Sequence, residues 1–560
     1  MNSLVSEPRI RLPGVVYHPP AAARRYVAEG VWQGVPLGEV IHRDCVRFLD
    51  NKAIIGPAGI LTFREMDEVS DRFAVGLLNL GLRPLDSVIF QMPNIPETQV
   101  ALYGCLKAGI LPLCTIAAHR EHEIGNLGRL VRARAHLIYG QDPKFDFPAF
   151  ARKMRKEIPS LEYTIAVEGE RGSDSVSYVS LLANVDATSA RQRIEALDVD
   201  PFQVAMFQLS GGSTGLAKVT PRFHSEYAYH TRLWADGSAF DQQTVTFWPL
   251  PAMHNAAMSC FTIPTHLNGG AVVLIPWSTP KDVFGIMMDA RPTVTGLAGP
   301  HIARAKAAGI LDKLDLTFIR QCFSTAHAAL IEREIKVPGY HLFGMAEGIN
   351  MRTVPSDPLE VRTTTIGKAM SPLESIRLVD PQTGIEVEEG QIGEMRCRGP
   401  YTVCGYFNDP EGDAARFDEQ GYLKSGDLMS AVVVDGTRYF EFKGRLKDNI
   451  DRGAEKIGAK DVEDAVIQHP SVLDVAALGM PDPEMGERVC VYIVVVPGAR
   501  APDKDELGKF LEGLGLAKYK WPERVEVVAE FPVTKVGKVS KDMLKADVSA
   551  KLRAEEGGAA

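Results

Sequence analysis

A strand that breaks into a glycine-rich loop is the feature that most constrains this chain. Residues 204–209 form an apolar run of strand length, and a loop rich in glycine and hydroxyl side chains follows and ends in a lysine. Such a loop lets backbone N–H groups approach an anion, while the hydroxyls donate hydrogen bonds and the lysine adds positive charge. It therefore predicts a phosphate-binding loop, with a flexible surface turn as the alternative. Its candidate ligands are Ser210, Gly211, Gly212, Ser213, Thr214, Gly215 and Lys218.

Composition narrows the class of ligand. A chain of 560 residues is too long for one hydrophobic core, so roughly two to four domains are expected. Hydrophobic residues make up 45% of the chain and charged residues 24%, as in ordinary globular proteins. The net charge of −9 argues against nucleic acid or an anionic membrane as the main partner, so an anionic ligand needs a local positive site.

No targeting or cross-linking signal stands out. Residues 1–20 lack the apolar stretch of a signal peptide, and no segment approaches the length of a membrane-spanning run, which predicts a cytoplasmic protein. The eight cysteines are scattered and show no C-x-x-C spacing. Reduced thiols are therefore expected, without a zinc site or a disulfide framework.

The order of predicted elements indicates an α/β protein in two parts. Helices alternate with short apolar strands from about residue 61 to 325, which favours layered α/β subdomains with a largely parallel sheet. Turn-punctuated strands beyond residue 374 predict a small β subdomain. We expect a large N-terminal domain over 1–446 and a smaller α+β domain over 447–560.

Local signals support particular elements within this plan. Thr62 and Glu65 have the spacing of a capping box that opens a helix. Residues 318–323 are predicted to form a strand. The polar, weakly periodic stretch 168–193 is predicted to be a surface excursion.

Four later motifs carry candidate chemistry, each with an ordinary alternative. Glu347 follows a predicted strand, where it could hold Mg²⁺ or simply cap a helix. Asp427 could accept both hydroxyls of a ribose or serve as a turn aspartate. Arg445 could contact ribose or phosphate, and Lys538 lies in a basic, glycine-punctuated loop; solvated surface charges are the alternative for both.

In order and spacing, these five stretches together resemble the adenylate-forming superfamily of acyl- and aryl-CoA synthetases, peptide-synthetase adenylation domains and luciferases. The stretches are 207–218, 343–347, 422–427, 444–448 and 531–538. The resemblance implies ATP and Mg²⁺ as cofactors, Lys538 as the catalytic lysine, Glu347 as the metal ligand and Lys447 as the hinge of a mobile C-terminal domain. The further nucleotide-binding positions that it implies are Ala326, Gly344, Met345, Ala346, Asp427 and Arg445.

A narrower resemblance points to stand-alone aryl-acid–AMP ligases of the 2,3-dihydroxybenzoate and salicylate type. It rests on residues 24–34, Pro-Ala-Met-His-Asn at 251–255, and 398–401. It implies that Asn255 contacts an ortho-hydroxyl group and that Cys260 favours salicylate over dihydroxybenzoate. The alternatives are a satisfied polar pair at 254–255 and a small buried apolar residue at 260.

Other positions depart from that group. Ala256 and Ala257 replace an aromatic residue and a proline, and 324–326 reads Ser-Thr-Ala where Gly-Gly-Ala is usual. Asn350 replaces an aliphatic residue, which hints at an additional polar group on the substrate ring. The implied substrate-binding residues are His254, Asn255, Cys260, Gly348 and Asn350.

The sequence thus predicts an enzyme that activates an ortho-hydroxy aromatic carboxylate with ATP in siderophore or nonribosomal peptide biosynthesis. His254 is expected where the acyl carbonyl meets the incoming thiol. The acceptor is expected to be phosphopantetheine on a separate carrier protein, because no carrier domain is visible after Lys545. The alternatives are a coenzyme A synthetase and an ATP-binding regulatory module; retention of Lys538, Glu347 and Asp427 argues against the latter.

Overall fold

The structure, a computed structural model, describes residues 6–168, 175–183, 185–210, 217–276, 280–298, 301–302, 305–306, 308–452, 455–534 and 538–557.

The strands in chain order are β1 (Lys52–Gly56), β2 (Gly59–Thr62), β3 (Ser87–Gln91), β4 (Leu111–Leu113), β5 (Ala135–Tyr139), β6 (Tyr163–Val167), β7 (Val176–Ser177), β8 (Val204–Leu209), β9 (Val219–Phe223), β10 (Val245–Phe247), β11 (Ala271–Val273), β12 (Val294–Gly296), β13 (Gln321–Ser324), β14 (Gly339–Gly344), β15 (Asn350–Arg352), β16 (Lys368–Ala369), β17 (Ser375–Val379), β18 (Gly393–Arg398), β19 (Leu423–Val434), β20 (Thr437–Arg445), β21 (Ile450–Arg452), β22 (Glu455–Ile457), β23 (Val472–Asp482), β24 (Gly486–Val495) and β25 (Arg524–Val527).

The α-helices are α1 (Pro20–Ala28), α2 (Leu37–Arg47), α3 (Phe63–Asn79), α4 (Pro96–Ala108), α5 (Glu121–Leu130), α6 (Phe147–Glu157), α7 (Tyr178–Ala183), α8 (Ala187–Glu195), α9 (His224–Gly237), α10 (Ile263–His266), α11 (Pro280–Ala290), α12 (Ala328–Leu330), α13 (Leu359–Thr364), α14 (Pro410–Arg416), α15 (Ala459–Val466), α16 (Lys504–Gly513) and α17 (Lys541–Gly557).

Two largely parallel sheets form the body of the large domain. One has the order β7-β6-β5-β3-β4-β8-β9, and only its last pair, β8–β9, is antiparallel. The other has the order β16-β15-β14-β13-β12-β10-β11-β1-β2, with a parallel centre and antiparallel edges. This confirms the predicted α/β class.

Helices α3 and α4 pack in the apolar core that joins these two sheets. The predicted capping box opens α3, because Thr62 Oγ1 accepts from Glu65 N at 3.2 Å while Thr62 N donates to Glu65 Oε2 at 2.8 Å. Every residue of α4 from Thr98 to Ala108 is buried, as expected for a helix with apolar surroundings on all sides.

The remaining sheets follow the predicted change of character. Strands β17–β20 form a four-stranded antiparallel sheet, and β21–β25 form the sheet of the smaller C-terminal domain. Alternate residues of β24 serve two cores: Val491 packs among the residues of α15 and α16, and Tyr492 packs among those of α17. This period of two is what a sheet covered by helices on both faces requires.

Two local predictions were wrong. In the described part of 168–193, α7 and α8 form, and Tyr178 and Leu181 are buried in the core that contains α3. These helices have six and nine residues, too short to show the sustained apolar stripe that reveals a packed helix in a sequence. The strand predicted over 318–323 begins only at Gln321, after a turn. Within the described residues, no helix is long and apolar enough to cross a membrane.

Candidate active site

The candidate site residues gather where strands of both large-domain sheets end. Ser210 follows β8, His254 and Asn255 lie in the connection after β10, and Glu347 follows β14. Ligands of open α/β sheets bind in the crevice outside the carboxyl ends of the parallel strands. The position of these residues therefore marks a binding cleft before any family is considered.

The base of the predicted phosphate loop is closed by two hydrogen bonds. Ser210 N donates to the carbonyl oxygen of Lys218 at 3.0 Å, and Lys218 N donates to Ser210 Oγ at 3.1 Å. The ammonium group of Lys218 lies 3.2 Å from Asp409 Oδ2 and 4.6 Å from the centre of the Tyr406 ring. The intervening positions Gly211, Gly212, Ser213, Thr214 and Gly215 lie outside the described residues.

Glu347 is a buried acid with one oxygen already engaged. Its Oε1 accepts from Tyr406 Oη at 2.6 Å, and burial together with this carboxylate raises the pKa of the tyrosine. Among the described residues no hydrogen bond to Glu347 Oε2 is formed. A carboxylate oxygen of this kind suits a hard cation such as Mg²⁺.

Asp427 and Arg445 form a pair across neighbouring strands. They lie opposite each other in the β19–β20 register, and Arg445 Nε is 3.0 Å from Asp427 Oδ1. Burial raises the pKa of Asp427, against the lowering effects of Arg445 and Lys538. The pair fixes the carboxylate at the edge of the cleft, where it could accept hydrogen bonds from a diol.

Asn255 is held by side chains of β9 and α9. Its Oδ1 lies 2.9 Å from Tyr227 Oη and 3.3 Å from Arg222 Nη1, while its Nδ2 donates to the carbonyl oxygen of Met345 at 3.2 Å. Arg222 is fully buried, forms an ion pair with Glu226 and donates to the carbonyl oxygen of Ala346 at 3.0 Å. The predicted aryl-recognition residue and the predicted nucleotide motif thus share one buried framework.

Asn350 and Cys260, predicted separately, are in contact. Asn350 Nδ2 lies 3.2 Å from Cys260 Sγ and 3.2 Å from Ser259 Oγ. Its Oδ1 lies against Gly344, where an added Cβ would come within 2.0 Å of that oxygen. A side chain at Gly344 would therefore displace the amide.

Gly348 is required by its backbone and by its surroundings. Its φ is +128°, and a Cβ there would lie 1.7 Å from the carbonyl oxygen of Tyr401. On the other side of β14, Ala326 follows the end of β13 and is exposed. The structure therefore places the two predicted turns, which contain Ala326 and Gly348, beside β14.

Lys538 of the C-terminal domain lies near this cleft. Lys538 lies in a loop closed by the Val533–Val539 bridge and by a 3.1 Å hydrogen bond from its own N–H to Thr534 Oγ1. The residue is exposed, yet desolvation and the charge of Arg445 lower the pKa of its ammonium, against the opposing attraction of Asp427. Its charge is therefore felt by groups of the large domain.

His254 lies close enough to Lys538 for the charge of the lysine to affect its pKa. Burial, and then the charge of Lys538, lower the pKa of His254 to about 4, so its ring is neutral at pH 7. Its Nδ1 accepts a 3.3 Å hydrogen bond from Ala256 N, which leaves Nε2 as the protonated nitrogen. His254 can then donate a hydrogen bond from Nε2 to an oxygen in the cleft.

The residue predicted to be the hinge lies in the connection between two strands, β20 and β21. Lys447 is exposed in a short 3₁₀ turn, Leu446–Asp448, that connects β20 with β21. The neighbouring helix α15 contacts β20. The turn is thus the link between the four-stranded sheet and the sheet of the C-terminal domain.

Four residues of the site were missed at the sequence level: Arg222, Glu226, Tyr227 and Tyr406. One signal was available. Arg222 interrupts the apolar strand β9, and Glu226 follows four residues later at the start of α9; a charge inside a buried strand implies a buried partner. Tyr406 gave no such signal, because its partner Glu347 is 59 residues away.

A separate acidic cluster lies between α2, α3 and α4. His42 Nδ1 is 2.8 Å from Asp67 Oδ2, and the buried Lys107 Nζ lies 2.6 Å from Asp67 Oδ1 and 2.6 Å from Asp71 Oδ1. The lysine already provides the positive charge that these carboxylates require, so the cluster is a structural ion pair network rather than a second metal centre.

A nucleotide-type cleft in the large domain, facing a lysine of the small domain, defines an adenylate-forming ligase. Two family models match the chain: "AMP-binding enzyme" over residues 41–407 and "AMP-binding enzyme C-terminal domain" over residues 461–538. The chain therefore belongs to the AMP-binding enzyme family.

Its relatives include aryl-acid ligases along the whole length. The chain is 36% identical to a 2,3-dihydroxybenzoate-AMP ligase of Bacillus subtilis (strain 168), covering 97% of this chain and 99% of the relative. It is 34% identical to a salicylyl-CoA synthase / salicylate adenylyltransferase of a Streptomyces species, with the same coverage. Among solved structures, the apo structure of Mycobacterium smegmatis MbtA matches with a TM-score of 0.71 and 29% identity, over 95% of this chain and 98% of that one.

Proposed function

We propose that this enzyme activates an ortho-hydroxy aromatic carboxylate with ATP and transfers the aryl group to a phosphopantetheine thiol. The observation that carries the proposal is the convergence of Lys538, Glu347 and Asp427 on the cleft that contains Asn255. The names of the relatives, which specify dihydroxybenzoate and salicylate, support the aromatic substrate.

The first half-reaction exchanges one bond for another at the α-phosphorus. A carboxylate oxygen attacks this atom, the bond to pyrophosphate breaks, and the aryl adenylate forms. Two anions must approach each other, so a positive charge that contacts both lowers the barrier. Lys538 is the proposed bridge between carboxylate and phosphate, while the loop from Ser210 to Lys218 holds the departing pyrophosphate.

Other residues of the cleft hold the nucleotide. Asp427 and Arg445 would bind the ribose, and the 326 and 344–346 turns would flank the adenine. Glu347 would hold Mg²⁺ through the carboxylate oxygen that Tyr406 leaves available. When bound, the ion would neutralise charge on the phosphate oxygens.

In the second half-reaction the thiol loses its proton to solvent, its sulfur attacks the acyl carbon, and AMP leaves with the bonding electron pair. Lys538 is needed only for adenylation, so we propose that the C-terminal domain, residues 447–560, turns about Lys447 and removes it. The neutral His254 could then donate its Nε2–H to the acyl carbonyl oxygen. We place the large domain at 1–446.

The pocket suggests which acids fit. The ortho-hydroxyl group is assigned to Asn255, and the distal ring edge to Cys260 and Asn350. Because both hydrogens of the Asn350 amide face Ser259 and Cys260, its remaining capacity is the acceptor Oδ1. We therefore expect salicylate to be used, and ortho-hydroxy acids with a second donating group, such as 2,3-dihydroxybenzoate, to be preferred.

The acceptor has two candidates. We propose a carrier protein with phosphopantetheine, in siderophore or nonribosomal peptide biosynthesis. Free coenzyme A is the second candidate, favoured by the name of the Streptomyces relative, a salicylyl-CoA synthase. The two share the same terminal thiol, so the adenylation site alone does not distinguish them.

Pyrophosphate exchange with a panel of aromatic acids tests the proposal. The panel contains benzoate, salicylate, 2,3-dihydroxybenzoate, 3-hydroxypicolinate and 3-hydroxyanthranilate, with fatty acids as controls. ATP-dependent exchange with ortho-hydroxy acids is the expected result, and exchange confined to fatty acids would overturn it. Thioester formation is then measured with carrier protein and with coenzyme A in parallel.

The Asn255→Ala variant tests the pocket assignment. The ratio of kcat/KM for salicylate over benzoate should fall by about tenfold or more, the usual cost of one lost buried hydrogen bond. An unchanged ratio would contradict the assignment of the ortho-hydroxyl group to this pocket.

A further inference from the structure

The orientation of the Asn255 amide is fixed from both ends. Arg222 has only donors, and its Nη1 lies 3.3 Å from one end of the amide; the carbonyl oxygen of Met345 only accepts and lies 3.2 Å from the other. Exchanging oxygen and nitrogen would set donor against donor and acceptor against acceptor. Oδ1 must therefore face Arg222, and Nδ2 must face Met345.

Arg222 itself cannot turn away. Its side chain is fully buried and is held by the ion pair with Glu226 and by the carbonyl oxygens of Ala346 and Tyr401, at 3.0 Å and 3.4 Å. The ring of Tyr227 lies 4.8 Å from the guanidinium carbon, and its hydroxyl group supplies the second donor to Asn255 Oδ1 at 2.9 Å. Both acceptor positions of the amide oxygen are therefore occupied.

The amide nitrogen keeps one hydrogen free. Of its two N–H bonds, one points to the Met345 carbonyl, and the other has no partner among the residues that the structure describes. A buried N–H without a partner is costly, so a bound ligand that accepts from it gains affinity. Asn255 can offer the ligand a donor but no acceptor.

We infer that Arg222 and Tyr227 are positioning residues that make Asn255 an obligate hydrogen-bond donor, so that the pocket selects acids whose ortho atom accepts. This rests on the proposed function and defines its substrate class further. A phenol oxygen qualifies, because its own hydrogen can turn to the carboxylate, and a pyridine nitrogen qualifies as well. An ortho-amino group does not, because it presents N–H bonds and its lone pair is delocalised into the ring.

The first test compares four acids in pyrophosphate exchange with the full-length enzyme: salicylate, picolinate, anthranilate and benzoate. We expect kcat/KM for salicylate to exceed that for anthranilate by about ten- to a hundredfold, the effect of one buried polar mismatch. Picolinate should exceed benzoate. Equal use of anthranilate and salicylate would overturn the inference.

Two tyrosines of α9 provide a matched pair of variants. Tyr227→Phe removes one donor to Asn255 Oδ1, whereas Tyr229→Phe removes a hydroxyl group that is bonded to Ser371 at 2.9 Å. We expect Tyr227→Phe to lower the salicylate-to-benzoate ratio of kcat/KM about three- to tenfold and Tyr229→Phe to leave it unchanged. A merely structural role of Tyr227 would lower both rates without moving their ratio.

Asn255→Asp inverts the hydrogen-bonding character at nearly constant shape. Arg222 supplies the countercharge, and the carboxylate then offers only acceptors. The salicylate-to-anthranilate ratio should fall at least about tenfold, from the same mismatch energy. If neither the salicylate-to-anthranilate ratio in Asn255→Asp nor the salicylate-to-benzoate ratio in Tyr227→Phe changes, the inference alone is refuted. Absence of exchange with every aromatic acid would refute the proposed function as well.

Discussion

The two sides of the cleft hold their side chains in opposite ways. On the large-domain side, Arg222, Glu347 and Asp427 are buried and bonded to neighbouring side chains. On the small-domain side, Lys538 is exposed, and among the described residues its ammonium has no carboxylate within ion-pair distance.

This difference separates recognition from reaction. A pocket that discriminates between acids must hold its donors and acceptors before the ligand arrives, which buried networks achieve. A lysine that serves one half-reaction and then leaves, as proposed for Lys538, has to remain free of strong partners. We therefore expect large-domain substitutions to change stability or selectivity, and small-domain substitutions to change one rate.

The largest effect is expected for Lys538→Ala. Adenylation should fall about a thousandfold, the upper end for removing one group that stabilises transition-state charge. Thioester formation from supplied aryl adenylate should persist, and thermal unfolding should not change because the residue is exposed. The two half-reactions are measured separately by pyrophosphate exchange and by single-turnover transfer. Equal loss in both would contradict the proposed role.

Arg222→Met should have the opposite signature. The substitution leaves Glu226 buried without its partner, which typically costs about 3–5 kcal/mol of stability. Thermal and denaturant unfolding should show the loss, with Arg152→Met on the exposed face of α6 as the control. If Arg222→Met melts like the wild type, the large-domain framework is not held by this ion pair.

Asn350→Leu should change how the large-domain pocket discriminates between aromatic acids. Removing the amide from the distal ring edge should shift kcat/KM towards salicylate, relative to acids with a further polar group, by about ten- to a hundredfold. The fold should tolerate the change because the Leu side chain has the same number and branching of heavy atoms as that of Asn. An unchanged ranking of acids would place Asn350 outside the pocket.

Acid should act on the two domains unequally. Burial lowers the pKa of eight large-domain histidines from about 6.5: to about 3 for His136 and His224, to about 4 for His18, His254, His266, His327 and His341, and well below the ordinary value for His230. Between pH 6.5 and 4 these histidines are protonated in the unfolded chain but remain neutral in the folded domain. The free energy of unfolding therefore falls as the pH drops from about 6.5 to 4, by up to about 1.4 kcal/mol per pH unit for each group.

Residues 447–560, the proposed C-terminal domain, contain a single histidine, His469. Hydrogen exchange at pH 7.5, 6.5 and 5.5, corrected for intrinsic rates, should therefore show large-domain peptides losing protection first. Earlier opening of the C-terminal peptides would contradict this contrast.

The smallest effect is expected at the hinge. Lys447→Pro fixes φ in the connecting turn and should slow thioester formation about three- to tenfold more than adenylation, because in the proposed mechanism only the former requires the domain to move. Lys447→Ala, which leaves the backbone free, is the matched control. Wild-type rates in both half-reactions would place the pivot elsewhere.

Local chemistry was sufficient to predict several elements. The capping box at Thr62 and the strand that leads into the phosphate loop depend on neighbouring residues, and both are present in the structure. The stretch 168–193 was misjudged because its helices are short and their burial depends on contact with α3. Hydrophobic periodicity identifies an apolar face that extends over several turns and misses one that consists of only a few residues.

The sequence by itself determined the class of the protein, because its motifs carry their chemistry in the types and spacing of adjacent residues. The tertiary structure alone decided how those residues are oriented. Arg222 reaches Ala346 and Tyr401, which lie 124 and 179 positions away, and through Asn255 it fixes which hydrogen-bonding group faces the cleft. Which way the amide donor points depends on where separate strands bring their side chains, and no local sequence pattern encodes that arrangement.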